Sequence, residues 1–180
     1  MSVLDFHNGD SITLEAWVNP SGSPSGYSYI IGKGRTGNSG FPANNQNYSL
    51  RLANSSGKAG ITFLFRDARN KTDDHWHRWT SVLSFAAASG WHHVAVSYTF
   101  GKVNSLRGYI DGQLADGKWD KGGKTEQAPL VDNDEVWIGA ALGAKAVSAF
   151  QGGIDEVAIY RHIVTEKRMA MRFNMDRPKF

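Results

Sequence analysis

Ser11-Ile-Thr-Leu-Glu-Ala-Trp-Val-Asn19, closed by Pro20, is the stretch that decides the fold class. Ile12, Leu14, Ala16 and Val18 alternate with Thr13, Glu15, Trp17 and Asn19, the two-residue period of a strand with one face in a core. Pro20 lacks the N–H that a ladder needs, so the strand stops there. The same signature recurs on both sides. Ser2-Val-Leu-Asp-Phe6 reads as strand-like sequence. After the breaker-rich loop Pro20 to Gly26, Tyr27 to Lys33 is a second strand, and a polar loop from Arg35 to Gln46 follows. Tyr48 to Leu52 and Ile61 to Arg66 read as a hairpin around Asn54-Ser-Ser-Gly57. Trp79 to Phe85 and Trp91 to Tyr98 come next. Leu106 to Ile110 and Gln113 to Ala115 flank Asp111-Gly112, whose residues tolerate the positive φ of a type I′ turn. Glu135 to Gly139 and Gly153 to Tyr160 complete about ten strands at the spacing of a sandwich. Only Thr165 to Phe173 reads as a helix, with Thr165 as its cap and Met169, Met171 and Phe173 as apolar contacts.

Composition agrees with the period. The chain has 180 residues, enough for one domain with one core and no staples. Its 20 glycines, 6 tryptophans, 6 tyrosines and 9 phenylalanines suit short strands joined by tight turns. Cysteine is absent, which excludes disulfides, thiolate metal sites and cysteine nucleophiles. Twenty basic residues against 17 acidic ones are scattered along the chain, unlike the clustered footprint of a nucleic-acid binder. No apolar run approaches the ~20 residues that cross a bilayer, so membrane insertion is not expected. Nor does Met1 open a basic and then apolar leader, and the chain reads as a domain cut from a longer protein.

Ile12-Thr-Leu-Glu-Ala-Trp-Val-Asn-Pro20, Ile31-Gly-Lys33, Tyr48-Ser-Leu50, Trp91-His-His-Val-Ala95, Gly108-Tyr-Ile-Asp-Gly112, Val136-Trp-Ile-Gly139 and Phe150-Gln-Gly-Gly-Ile-Asp-Glu-Val-Ala-Ile-Tyr160 occur in this order before a short last helix. In that order they resemble laminin G-like domains of the concanavalin A-like lectin/glucanase superfamily, over nearly the whole of residues 1–180. The resemblance implies an all-β fold, a two-sheet antiparallel jelly-roll sandwich with one short C-terminal helix. Val94 to Gly101, Arg107 to Asp111, Trp119-Asp120 and Val131 to Gly139 further resemble the version found in large bacterial proteins beside cytochrome-c-like modules. That likeness implies an extracytoplasmic, periplasmic or secreted, setting and other domains of a larger parent chain as partners.

Fold does not supply function, because this sandwich hosts lectins, glycosidases and protein-binding modules. Glycoside hydrolysis needs two carboxylates about 5 to 10 Å apart flanking the scissile bond. Asp132-Asn-Asp-Glu135 enters a strand without a later Glu, and Asp155-Glu156 is an adjacent pair that period two sends to opposite faces. The domain is therefore expected to be no enzyme. No Gly-x-Ser-x-Gly elbow supports a serine nucleophile. His75, His77, His92 and His93 have no spacing that prescribes a zinc site. Calcium is implied by the resemblance alone, with Asp10, Asp132, Asp134 and Asp155 as its possible ligands; their alternative use is to start turns and cap amides.

The segment Arg66-Asp-Ala-Arg-Asn-Lys-Thr-Asp-Asp-His-Trp-His-Arg-Trp-Thr80 sets two tryptophans among charges, in a loop and strand entry. Flat aromatic faces stack on sugar C–H surfaces while charged side chains bond hydroxyls, so Asp74, Trp76, His77, Arg78 and Trp79 have the chemistry of a ligand site. Trp119, in the polar loop Gly117 to Gly123, joins them. The alternative is that these rings plug the sandwich ends or cover a sheet, with arginines stacked on them. Trp17, Trp91 and Trp137 lie in strands and are expected to pack on a sheet face. Two function classes follow. One is a non-catalytic recognition module for a glycan or protein ligand, bound by rim loops or a sheet face; the other is a structural or interaction domain inside a larger enzyme or redox protein.

Overall fold

The structure is a computed structural model that describes residues 2–37, 45–69, 75–143, 145 and 148–175. In chain order its elements are β1 (Ser11–Pro20), β2 (Tyr27–Lys33), β3 (Tyr48–Ser55), β4 (Lys58–Arg66), β5 (Trp76–Phe85), β6 (His92–Thr99), β7 (Arg107–Ile110), β8 (Gln113–Ala115), β9 (Gly117–Lys121), β10 (Val136–Ile138), β11 (Gly152–Tyr160) and α1 (Glu166–Met175). They form two antiparallel sheets, one of five strands in the order β11-β1-β6-β7-β8 and one of six in the order β10-β2-β3-β4-β5-β9. The expected jelly-roll sandwich is what the chain builds.

The alternation in β1 sets the core. Ile12, Leu14, Ala16 and Val18 are fully buried, opposite Tyr98, Val96, Val94 and His92 on β6. From the six-stranded sheet, Leu50, Leu52, Ile61, Phe63 and Phe65 meet them. Burying side chains of this size stabilises by roughly 1.5 to 3 kcal/mol each.

Two hairpins form where the sequence marks them. Ser56 and Gly57 take φ of 52° and 82° between β3 and β4, and Asp111 and Gly112 take 53° and 73° between β7 and β8, the paired positive φ of type I′ turns. Two expectations change. Ser2 to Phe6 is a turn, closed by the Ser2 N–H donating to Asp5 Oδ2 at 2.8 Å, with Phe6 dropped into the core. Gly117 to Lys121 is strand β9 rather than a loop, because it can pair with the free edge of β5.

Helix α1 is capped by Thr165, whose Oγ1 accepts the Arg168 N–H at 3.4 Å. It lies on the outer face of the five-stranded sheet, where Met169 packs with Ala95, Tyr109 and Val164, and Phe173 stacks on Trp17 at 5.7 Å. The outer face of the six-stranded sheet carries no helix among the described residues. One outer face is thus covered by α1, and among the described residues no helix covers the other.

Candidate functional site

The β4–β5 register divides the tryptophan-rich segment between two faces. Phe63 stands opposite Trp79 and Phe65 opposite His77, so those side chains point into the core. Leu64 stands opposite Arg78 and Arg66 opposite Trp76, so these point outward. Trp79 is 5% exposed and belongs to the core. His77 is held by Asp67 Oδ2 at 2.9 Å from Nε2 and by the Gly123 carbonyl at 3.0 Å from Nδ1. Trp119 pairs with Trp79 across β5 and β9, and meets Phe65 and Tyr98 edge-on at 6.3 and 5.8 Å. These three fill one end of the sandwich. Trp76 and Trp119 both lie on strands, not in the loops expected for them. Asp74 lies outside the described residues.

Trp76 and Arg78 open instead onto a cleft of about 540 Å³ across the outer face of the six-stranded sheet. Tyr27 and Tyr29 reach it from β2, Arg51 from β3, Leu64 from β4 and Lys121 from β9. Local structure brings in Arg35. Gly34 has φ of 91°, and a Cβ there would sit 2.2 Å from the Asn45 carbonyl, so only glycine fits. Arg35 follows at φ of 59°, its N–H donating to Asn45 Oδ1 at 2.7 Å. That turn swings the arginine back over the sheet, where its Nη1 donates to the Tyr29 hydroxyl at 3.5 Å.

Cations and rings interleave in this cleft. The Arg51 and Arg78 guanidinium carbons lie 4.3 and 4.9 Å from the centroid of the same Tyr27 ring. Arg35 and Lys121 lie 4.9 and 5.6 Å from the Trp76 ring. Arg78 donates from Nε to Asp120 Oδ1 at 2.7 Å, and Thr80 donates to the other oxygen. Arg51 is 4% exposed and donates from Nε to Thr62 Oγ1 at 3.2 Å, while its buried Nη2 has no hydrogen-bond partner. Burial pulls the Arg51 pKa down and Arg78 adds to that, while Tyr29 and Tyr27 oppose it. A guanidinium stays charged regardless. Among the described residues no Asp or Glu lines the cleft.

Of the residues singled out in the sequence, Trp76 and Arg78 line this cleft, and Tyr27, Tyr29, Arg35, Arg51 and Lys121 line it without having been singled out. Tyr27-Ser-Tyr29 and Ser49-Leu-Arg51 do carry a signal, since period two aims Tyr27, Tyr29 and Arg51 away from the apolar positions of their strands.

The four aspartates considered for calcium do not form one cluster. Asp10 pairs with Arg161 at 3.0 Å and accepts the His7 N–H. Asp155 is on β11. Asp132 and Asp134 both accept from Asn45 Nδ2, and Asp134 also accepts from the Thr36 hydroxyl at 2.6 Å and the Glu135 N–H at 2.9 Å. Among the described residues no three His, Asp or Glu side chains are grouped as metal ligands. Asp132 and Asp134 thus act as acceptors in a hydrogen-bonded loop staple. His92 completes a chain in which Ser89 Oγ is 2.7 Å from Nε2, and Nδ1 is 2.8 Å from Asp111 Oδ2. Its ring stacks on Phe85 at 4.1 Å, and Asp111 also accepts the His93 N–H. The chain ties the Ala86 to Gly90 turn to the β7–β8 hairpin, and Ser89 does not line the cleft.

The sequence matches the concanavalin A-like lectin/glucanases superfamily, in its laminin G-like form, over residues 2–170. The chain belongs to that family. No curated protein matches it. Three of the solved structures that share the fold illustrate the likeness. A SAP-like pentraxin from Limulus polyphemus aligns with TM-score 0.61 at 11% identity, over 96% of this chain and 78% of that one. The CBM40 of the Ruminococcus gnavus IT-sialidase, bound to α2,3-sialyllactose, aligns with TM-score 0.58 at 16% identity, over 92% and 82%. The binding domain of botulinum neurotoxin serotype G aligns with TM-score 0.60 at 11% identity, over 98% of this chain and 39% of that domain. At such identities the likeness is one of fold.

Proposed function

We propose that this laminin G-like domain is a non-catalytic recognition module whose ligand is a glycan, held in the cleft on the open face of the six-stranded sheet. The observation that carries the reading is the cleft itself: it is lined by Tyr27 and by Trp76, which is 8% exposed beside Arg35 and Lys121, among cationic donors that can bond hydroxyl oxygens. The CBM40 neighbour, solved with a sialyllactose, and the neurotoxin binding domain support a binding role on this fold. The non-catalytic part of the reading is supported by a cleft lining with no carboxylate pair among the described residues. Work of this kind suits an extracytoplasmic domain of a larger protein, which fractionation of the source cells tests. A glycan array on the isolated domain tests the ligand, with Trp76→Ala as the control. We expect glycan binding in the parent and its loss in the variant. Binding that survives Trp76→Ala moves the site elsewhere.

A further inference from the structure

We infer that the cleft is closed in the free domain and that the Arg35 side chain is its cap, lying on the Trp76 ring until a ligand takes that place. The inference rests on the cleft being the glycan site and concerns how that site opens. A ring that stacks on a sugar must show it a face, and Trp76 is 8% exposed. The Arg35 guanidinium carbon lies 4.9 Å from the centroid of that ring and Lys121 Nζ lies 5.6 Å from it, so cations stand where a sugar would lie.

Of the two, Arg35 is the better cap. A guanidinium is planar, stacks on an aromatic face and is weakly hydrated, whereas an ammonium is a compact, strongly hydrated charge. Arg35 also rises from a fixed root. Its N–H donates to Asn45 Oδ1 at 2.7 Å, its carbonyl accepts the Leu142 N–H at 2.6 Å, and the Thr36 hydroxyl beside it donates to Asp134 Oδ1 at 2.6 Å. The turn at φ of 59° is thus pinned on both sides, and what is left to move is the side chain. Arg35 is half-buried, so rotation about its side-chain bonds carries the guanidinium outward into water without unpacking the sandwich. Arg51 and Arg78 differ, since they rise from strands and are held at Nε by Thr62 and Asp120 against the Tyr27 ring. Opening gives up the Arg35 contact with Trp76 and the 3.5 Å bond from its Nη1 to the Tyr29 hydroxyl. A partly desolvated cation–ring contact favours the closed form roughly fivefold to thirtyfold, and a ligand that needs the open form loses that factor in affinity.

Acrylamide quenching of tryptophan fluorescence tests the cap with no glycan present. We expect Arg35→Ala to be quenched more than the parent, and the excess to vanish when Trp76→Phe is added. If Arg35→Ala does not melt cooperatively, Arg35→Gly, which accepts the left-handed φ, replaces it. Equal quenching of the parent and Arg35→Ala overturns the inference, as does an excess seen in Lys121→Ala alone. The glycan array supplies the sign that separates a cap from a ligand contact. Across a dilution series of protein, Arg35→Ala should bind the parent's glycans at a concentration at least threefold lower. Equal or weaker binding would overturn the cap, and weaker binding would make Arg35 a ligand contact in a glycan cleft that still stands. An array silent for both proteins, with the quenching excess intact, would remove the glycan reading while the closed cleft stands on the quenching.

Discussion

Two tryptophans three residues apart on one strand have different work because one peptide step separates inward from outward. Trp79 lies in the core, so close to Gly108 and Gly117 that a Cβ at either would come within 2.4 Å of its ring. Trp79→Ala is therefore expected to cost roughly 3 to 5 kcal/mol in denaturant unfolding. Trp76→Ala should cost less and should remove ligand binding, since its ring faces Arg35, Lys121 and the cleft. The reverse order of stabilities would mean the β5 register is wrong. Carboxylates set a second residue-scale property. Burial alone would raise the Asp134 pKa, but hydrogen bonds from Thr36, Glu135 and Asn45 outweigh it and hold the group below its ordinary 3.8. For Asp67, burial likewise pushes up, and Arg69 and His77 pull the value below 3.8. A depressed native pKa means the stabilisation is whole above the unfolded value and is lost as pH falls through the native one. Unfolding free energy should thus drop below about pH 4, and Asp134→Asn should flatten that acid limb in a fluorescence titration.

At the scale of elements, the two type I′ hairpins separate backbone strain from packing. Gly57 (φ 82°) has open space where a Cβ would go, whereas a Cβ on Gly112 (φ 73°) would meet Ala170 Cα and Phe173 Cβ at 3.0 Å. Gly57→Ala should cost about 1 to 2 kcal/mol, the left-handed strain alone. Gly112→Ala should cost more, because it also lifts α1 from the sheet. Equal losses in urea melts would show that the helix does not press on the hairpin. Strand β9 shows how little of an edge strand is written in its own residues. Gly117-Lys-Trp-Asp-Lys121 has the composition of a turn, and it extends because β5 offers an unpaired ladder and the Trp79 ring accepts Trp119 beside it.

For the whole molecule the asymmetry of the two outer faces matters most. Trp17, read from the sequence as a sheet-packing ring, is roofed by Phe173, while the corresponding face of the other sheet holds the cleft. A ligand that binds only the folded sandwich stabilises it by about 2.7 kcal/mol at a hundredfold excess over Kd. A glycan that binds the cleft should, at that excess, raise Tm in the parent and leave Trp76→Ala unmoved. Leu14→Ala, deep between the sheets and away from the cleft, should cost roughly 2 to 5 kcal/mol and leave Kd unchanged. A shifted Kd would mean that the core and the open face are coupled.

The strands, their inward faces, both tight hairpins and the helix start were legible in the chain because each depends on neighbours within a few residues: period two, paired positive φ, a threonine cap. The ordered motifs from Ile12 to Tyr160 carried the sandwich. What the sequence left undecided is which outward side chains share a surface. Tyr27, Arg51, Trp76 and Lys121 come from four strands, and only the pairing of β2 with β3, β4 with β5 and β5 with β9 sets them side by side. Register between distant segments is settled by burial of whole faces against each other. That is also why a contiguous run such as Trp76 to Trp79, which looked like one site, was split by the sheet into a cleft wall and a core plug.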